Sequence, residues 1–227
     1  MLKRSLTLSV CLLVLSMAQA VVLRDDRQVE VSIATPPQRV VSLLPSLTET
    51  VCALGQCEKL VGVDRYSSWP ESIAKLPRMG GGIDPNIESV VATKPDLVLM
   101  ATSARGAERL QALGLTVLAL EPRTHSDMQR VMRIVAQALN VPVVESDRVW
   151  HHIDAEMIAV AQSIPLQAKG QRVYFEVSPA PYGASESSFI GETLQRLGML
   201  NILPASMGPF PKINPEYVVR AQPDLIM

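Results

Sequence analysis

Aromatic side chains are the residues of this sequence best suited to contact a ligand. Four of the nine aromatic residues lie on predicted loops that follow short apolar runs: Tyr66, Trp69, Tyr182 and Phe210. In open parallel sheets, the loops at the carboxyl ends of the strands form the ligand crevice. Any one of these side chains could instead cover the edge of a core, but two in each half of the chain favour a shared site. The sequence therefore predicts a ligand cleft lined by aromatic residues from both halves.

No residue pattern in the sequence predicts catalysis. The serine elbow, the zinc-protease helix, the phosphate loop and the dinucleotide fingerprint have no counterpart in the chain. Of the three histidines, His151 and His152 are adjacent on a predicted helix, so their side chains diverge and cannot jointly chelate a metal. His125 is predicted to be a solvated loop residue. We therefore predict a binding protein with no catalytic residue, no metal site of its own and no cofactor.

Two cysteines, Cys52 and Cys57, lie at the end of a predicted helix and in the loop after it. The residues alone leave three states open: a local disulfide, two free buried thiols, or metal ligands, although no other soft ligands are nearby. Export to an oxidising compartment favours the disulfide. We predict that the two cysteines are bonded to each other.

Two short patterns occur twice in the same order and indicate an internal duplication. The pattern Glu-Thr-x-x-x-Leu-Gly begins at Glu49 and again at Glu192. A second pattern, Asn-x-Glu followed further on by Pro-Asp-Leu, begins at Asn86 and again at Asn214. An Arg-Val pair opens each half. Patterns repeated in the same order predict two structurally related lobes.

Glu88 and Glu216 occupy the same position of the repeated Asn-x-Glu pattern. A carboxylate in the first turn of a helix is stabilised by the helix dipole by ~0.3–1 kcal/mol. That effect explains each glutamate separately, but it does not explain why both halves have the same residue. The duplication predicts that these two carboxylates lie on matching surfaces, one on each lobe.

The apolar runs predict an α/β fold with mostly parallel sheets. Val40–Leu44 and Leu97–Met100 are predicted to be buried strands, and Ser46–Glu49 fits a capping box at the start of a helix. Strands that alternate with helices predict parallel sheets covered by helices. Between the halves, Val143–Ser163 has regularly spaced apolar residues and no glycine or proline, which predicts a rigid helix of ~30 Å.

The two ends of the chain lead to different predictions. Residues 1–20 are typical of a secretory signal, since Lys3 and Arg4 precede a short apolar stretch and a small-x-small pattern ends at Ala20. We predict cleavage after Ala20 and export to the periplasm. In the first half a helix and a strand follow Met100, whereas the second copy stops at the equivalent position, Met227. One or two further helix–strand units are therefore expected beyond it.

The rest of the chain is predicted to form two lobes and a connector. The first lobe is assigned to residues 21–141, the connecting helix to residues 142–164, and the second lobe to residues 165–227. The formal net charge of −1 provides no basic surface for nucleic acid. No nucleic-acid partner is expected.

Three segments resemble the helical-backbone periplasmic receptors of ABC importers, the family that binds cobalamin, haem or iron siderophores: residues 39–49, 61–70 and 86–98. The resemblance implies a monomer with two Rossmann-like lobes joined by one rigid helix and a ligand between the lobes. By position, Tyr66, Tyr182 and Phe210 match aromatic ligand contacts of the family, and Trp69 lies beside them. The resemblance also implies that the two glutamates of the repeated pattern dock the receptor onto a permease dimer in the inner membrane.

The ligand expected from this resemblance is a cobalamin-like corrinoid, a metal chelate whose flat macrocycle suits aromatic walls. Where cobalamin receptors have a tryptophan contact, this sequence has Gly80-Gly81-Gly82, so the ligand is left open. A haem or siderophore receptor is the alternative within the family, with Arg65, Arg105 and Arg123 as candidate anion partners. A metal-cluster enzyme would need cysteine or histidine ligands from both lobes, and none follows His152. A third alternative is an exported adaptor without a ligand.

Overall fold

The computed structural model describes residues 20–227. The predicted signal segment falls outside these residues, apart from Ala20. Among the helices in the described part of the chain, none is long and apolar enough to cross a membrane.

The first lobe is a parallel sheet preceded by an antiparallel hairpin. The strands of this lobe are β1 (Val21–Arg24), β2 (Glu30–Ile33), β3 (Val40–Ser42), β4 (Leu60–Val63), β5 (Leu97–Met100) and β6 (Val117–Ala119). The hairpin consists of β1 and β2, and the sheet has the order β4-β3-β5-β6. Every strand pair in that sheet is parallel. The predicted parallel α/β architecture is therefore confirmed for this lobe.

Helices cover both faces of this sheet because successive strand residues point to opposite sides. The helices are α1 (Pro45–Ala53), α2 (Ile87–Ala92), α3 (Ala107–Ala112) and α4 (His125–Ala138). Val40 and Leu99 enter one core, which also contains apolar residues of α1 and α4. Val41 and Val98 enter the other core with residues of α2 and α3. Two buried faces make the strands almost uniformly apolar.

The start of α1 differs from the predicted capping box. The helix begins at Pro45, and its N-cap residue, Leu44, makes no side-chain capping hydrogen bond. Proline suits the first helical position because its missing N–H would have no partner inside the helix. The hydroxyl of Thr48 instead donates to Ser42 Oγ at 2.8 Å, inside the lobe. The capping-box prediction was therefore wrong.

The connecting helix, α5 (Val143–Ser163), is present over the predicted range. Its 21 residues correspond to a length of ~32 Å. Trp150 is buried against the core of the first lobe, whereas Ile158 and Val160 in the second half of the helix are exposed. An unbroken helix leaves no flexible hinge in the segment that joins the lobes.

The second lobe repeats the arrangement of the first with fewer residues. Its elements are β7 (Arg172–Tyr174), β8 (Glu176–Ser178), β9 (Tyr182–Gly183), α6 (Phe189–Arg196), β10 (Leu200–Asn201), α7 (Pro215–Ala221) and β11 (Leu225–Ile226). The parallel sheet has the order β10-β7-β11, which matches β4-β3-β5, and β8 and β9 form an antiparallel hairpin. The buried cluster of this lobe is small and contains Tyr174, Ile202, Leu203 and Ile213.

Backbone hydrogen bonds show what the repeated Arg-Val and Pro-Asp-Leu patterns build. The N–H of Asp96 donates to the carbonyl of Arg39 at 2.8 Å, and the N–H of Asp224 donates to Arg172 at the same distance. In return, the Asp96 carboxylate accepts from Arg39 N–H at 3.0 Å, and the Asp224 carboxylate accepts from Arg172 N–H at 2.7 Å. Each aspartate thus aligns the start of its strand with the central strand of its sheet.

Candidate functional site

A cavity of about 430 Å³ lies at the carboxyl ends of β3, β4 and β5. Tyr66 lies at this cavity with its side chain 66 % exposed. The short lining segments follow the three strands, which is where ligands bind in open parallel sheets. The structure therefore places one predicted ligand contact at the expected edge of the first sheet.

A buried carboxylate holds the Tyr66 loop in place. Asp64 Oδ1 accepts from the backbone N–H of Tyr66 at 2.7 Å and of Ser67 at 3.2 Å. The Ser67 hydroxyl donates to Asp64 Oδ2 at 2.5 Å. These bonds form a tight turn after β4 and hold the backbone from which the exposed ring of Tyr66 projects. Asp64 has no solvent-exposed surface and is a residue that the sequence analysis did not single out.

Two residues of the three-glycine segment, Gly81 and Gly82, also line this cavity. Gly80 has φ +88°, and its carbonyl accepts from the N–H of Arg65 at 2.8 Å. A Cβ on Gly82 would lie 3.0 Å from the carbonyl oxygen of Leu43, so a side chain there would require the backbone to move. The Arg65 guanidinium lies 5.9 Å from the centre of the Tyr66 ring and also lines the cavity. The cavity thus presents an aromatic face and a cation.

A second cavity, of about 560 Å³, lies between the two lobes. Trp69 lines this cavity and not the first one, although it is only three positions from Tyr66. Ile153 of α5 and Phe189 of α6 contribute to the wall, together with one face of α1. That α1 face contains Glu49, whose pKa is raised by burial. We call this space the interlobe cavity.

The aromatic residues of the second lobe lie on neighbouring segments. Gly183 N–H, next to Tyr182, donates to the carbonyl of Pro211 at 3.1 Å, and Phe210 is adjacent to that proline. Tyr182 lies in strand β9 of the hairpin, so the prediction that it is a loop residue was wrong, whereas Phe210 lies in the segment that follows β10. Phe210 is 50 % exposed. Neither residue lines the two cavities described above, and the shared contact with one ligand stays a prediction.

Glu88 and Glu216 occupy equivalent positions in the structure. Each is the second residue of a short helix, α2 or α7, directly after a capping asparagine, Asn86 or Asn214. Both side chains are exposed, and Glu88 forms an ion pair with Arg109 at 3.1 Å. An exposed pair of this kind contributes ~0–1 kcal/mol, so the carboxylate is free to change partner. Their role in docking stays a prediction.

Cys52 and Cys57 lie at the end of α1 and in the short turn after it. The structure joins them in a disulfide with a Cα–Cα distance of 4.1 Å. Cys52 also lines the interlobe cavity. In residues 20–227, no group of three or more metal-ligating side chains comes together.

His125 is where the structure departs most from the sequence analysis. It is the first residue of α4 and only 3 % exposed, so the prediction of a solvated loop histidine was wrong. Its backbone N–H donates to Glu192 Oε2 at 2.8 Å, and its ring Nε2 lies 3.0 Å from Thr193 Oγ1. The ring also stacks on Phe189, with centroids 4.4 Å apart and an interplanar angle of 7°. A residue of the first lobe is thus buried against α6 of the second.

One signal in the sequence could have located His125. Thr124 and Asp127 form a true capping box around it, with the Thr124 hydroxyl accepting from Asp127 N–H. That pattern would have placed the histidine inside a helix. The partners of His125, Glu192 and Thr193, are the Glu-Thr pair of the second repeat. Because they are far from His125 along the chain, the sequence did not reveal the contact.

Comparison with known proteins agrees with this architecture. The profile of the periplasmic binding protein family matches residues 40–227. A vitamin B12-binding protein of Yersinia pestis is 30 % identical over 203 residues, which cover 86 % of this chain and 70 % of that protein. An uncharacterised ABC transporter substrate-binding lipoprotein of Bacillus subtilis is 28 % identical over 217 residues, which cover 91 % and 68 % of the two chains.

Solved structures share the fold. A periplasmic haem-binding protein of Roseiflexus superposes with a TM-score of 0.72 at 27 % identity, over 83 % of this chain and 75 % of that one. The relatives are substrate-binding proteins and not enzymes, and their named ligands include both vitamin B12 and haem. The family profile, the relatives and the two-lobed fold together show that this chain belongs to the periplasmic binding protein family, the substrate-binding proteins of ABC transporters.

Proposed function

We propose that this protein binds a cobalamin-like corrinoid between its two lobes in the periplasm and delivers it to the permease of an ABC importer. The observation that carries the proposal is the distribution of exposed aromatic rings. Tyr66 lies beyond the carboxyl end of β4, and Phe210 lies beyond the end of β10, its counterpart in the second sheet. Rings presented from both lobes suit a flat macrocycle, each contributing ~0.5–1.5 kcal/mol beyond simple area burial.

The cavity at Tyr66 supports a preformed site. The Asp64 turn holds the Tyr66 backbone in place before any ligand arrives, which reduces the entropy lost on binding. Gly81 and Gly82 leave room in the cavity beside the Arg65 guanidinium, because no side chain projects from them. The rigid α5 helix would keep the two sheet edges at a set separation. These features favour a large, rigid ligand over a small flexible one.

A haem receptor is the second candidate, and Arg65 is the observation that favours it. Its guanidinium lines the Tyr66 cavity and has no carboxylate within 4.0 Å among residues 20–227. Haem carries two carboxylates, whereas the side chains of cobalamin are mostly neutral amides. An arginine beside the aromatic wall therefore matches haem, or an anionic siderophore, better than it matches a corrinoid.

Intrinsic fluorescence distinguishes the candidates. The chain has two tryptophans, of which Trp69 is exposed and Trp150 is buried. We expect cyanocobalamin to quench the emission saturably at one equivalent, with haemin and a ferric siderophore binding more weakly. Arg65→Ala should leave the affinity for cyanocobalamin unchanged. If the protein binds haemin, the same substitution should weaken haemin binding. If haemin alone quenches the emission saturably, the ligand is haem and not a corrinoid. If none of the three compounds quenches it saturably, the proposal of a metal-chelate ligand is wrong.

We further propose that Glu88 and Glu216 dock the receptor onto the permease. Equivalent exposed carboxylates on the two lobes suit a two-fold symmetric partner that offers the same basic pocket twice. Glu108, another exposed glutamate at the start of a first-lobe helix, provides the matched control. The protein is proposed to act as a monomer, exported with its signal cleaved after Ala20. The N-terminal residue of protein recovered from the periplasm tests that cleavage.

A further inference from the structure

One face of α6 contacts the first lobe and the connecting helix at four positions. Phe189, Glu192 and Thr193 contact His125, and Arg196 forms an ion pair with Asp154 of α5 at 2.7 Å. These α6 positions are spaced as i, i+3, i+4 and i+7, which places them on the same side of a helix. This face of α6 thus joins the second lobe to α4 of the first lobe and to α5.

The duplicated helix shows which part of this face is shared. In α1 the four equivalent positions, taken from the Glu-Thr-x-x-x-Leu-Gly repeat, line the interlobe cavity: Ser46, Glu49, Thr50 and Ala53. Only the glutamate and the threonine are the same in both helices. The ring that stacks on His125 and the arginine that pairs with Asp154 occur in α6 alone. The His125 contact is therefore a specific feature of the second copy.

The hydrogen bonds indicate which ring nitrogen of His125 donates in this contact. The Thr193 hydroxyl donates to the carbonyl of Phe189 at 2.9 Å, so its oxygen is the acceptor for His125 Nε2. In the neutral imidazole the single proton is then on Nε2. A second proton would go to Nδ1, for which residues 20–227 offer no hydrogen-bond partner, in a residue that is only 3 % exposed.

The charged groups around the ring do not offset the cost of burying a protonated imidazole. From α6, Glu192 already accepts the backbone N–H of His125, and Arg196 adds a positive charge. From α5, Asp154 is engaged by that arginine. On the histidine's own helix, Asp127 is bonded to the N-cap and to Arg130. Burial and then the Arg196 charge lower the pKa of His125, and they outweigh the Glu192 and Asp154 carboxylates, which raise it.

We propose that His125 is a positioning residue that sets the orientation of the two lobes while it is neutral and releases α6 when it becomes protonated. Because its pKa is lower in the folded protein, the contact is fully formed above the ordinary histidine pKa of about 6.5. Its contribution to stability decreases as the pH falls through that value. The inference rests on the proposed function in one respect: the orientation of the lobes would set the width of the ligand cleft.

A variant with one histidine and one tryptophan tests this. Trp150 lies edge-on to His125, with ring centroids 6.4 Å apart, and protonated imidazole quenches indole emission. Trp69→Phe removes the exposed tryptophan, and His151→Gln with His152→Gln removes the two other histidines. In this background we expect Trp150 emission to fall in one step below the ordinary histidine pKa. Hydrogen-exchange protection of Phe189–Arg196 should fall several-fold over the same pH range.

Two substitutions at His125 separate positioning from packing. His125→Gln keeps a neutral donor to Thr193, so we expect α6 protection to remain high and independent of pH. His125→Ala should give low α6 protection at every pH, while α2 of the first lobe, Ile87–Ala92, keeps its protection. A fluorescence step without a change in α6 protection, or a fall in protection that persists in His125→Gln, would overturn the proposal. None of these measurements depends on a ligand, so the His125 proposal can fail while the corrinoid proposal holds, and the reverse.

Discussion

Asp64→Ala is expected to destabilise the protein and to weaken ligand binding at the same time. The substitution removes the acceptor of two backbone N–H groups and one hydroxyl, at 2.7, 3.2 and 2.5 Å. Because the Ser67 donors are buried, water cannot replace the lost carboxylate there, whereas the Tyr66 N–H can be partly hydrated. A hydrogen bond to a charged group contributes ~1.5–3 kcal/mol.

Two unreplaced bonds therefore predict a loss of ~3–6 kcal/mol in the free energy of unfolding, a large part of the ~5–15 kcal/mol typical of a folded domain. Urea unfolding followed by far-UV circular dichroism measures this loss. Asp64→Asn keeps one acceptor oxygen and should fall between wild type and the alanine variant. The Tyr66 loop should also lose order, and the affinity for the chelate should fall even where the protein remains folded.

Asp84→Ala is the matched control. Asp84 lines the same cavity but is exposed, so its removal should change the free energy of unfolding by less than ~0.5 kcal/mol. A loss of under ~1 kcal/mol for Asp64→Ala would show that the buried turn is rehydrated. In that case the rigid presentation of Tyr66 could not be attributed to Asp64.

Three further predictions concern the remaining site residues. Mass spectrometry without reduction should find Cys52 and Cys57 bonded in the exported protein, and two free thiols would contradict this. Tyr66→Ala and Phe210→Ala should each weaken binding of the true ligand by ~1–3 kcal/mol in a fluorescence titration, while the circular dichroism spectrum is unchanged. Normal binding by both variants would rule out a cleft between the two sheet edges. Glu88→Ala combined with Glu216→Ala should abolish uptake by the reconstituted importer at limiting receptor without changing ligand affinity, whereas Glu108→Ala should transport normally.

Much of the fold was predictable because its determinants are local. The apolar run at Leu97–Met100 has no polar residue because both faces of β5 are covered, and the absence of glycine and proline from Val143–Ser163 allows an unbroken helix. The repeated Asp96 and Asp224 could be recognised as equivalent before their matching hydrogen bonds were known. The start of α1 was less predictable, since a serine and a glutamate suggested a cap while the preceding proline defined the first turn.

The candidate site was predictable only in part. Tyr66 and Trp69 were identified as loop residues after β4, yet the sequence did not reveal that they face different cavities. The buried Asp64 beside them gave no signal, because an aspartate after a strand is usually an exposed turn residue.

The sequence by itself determined the class of fold, the duplication, the connecting helix and the family, because each depends on residue spacing within one segment. Only the tertiary structure decided which residues join the lobes. His125 and Glu192 are 67 positions apart, and their contact exists because α4 and α6 are brought together beside the middle of α5, near Trp150 and Asp154. Residue patterns report which side of an element is buried. They do not report which distant element covers it, and for His125 that partner determines its burial, its protonation state and its proposed role.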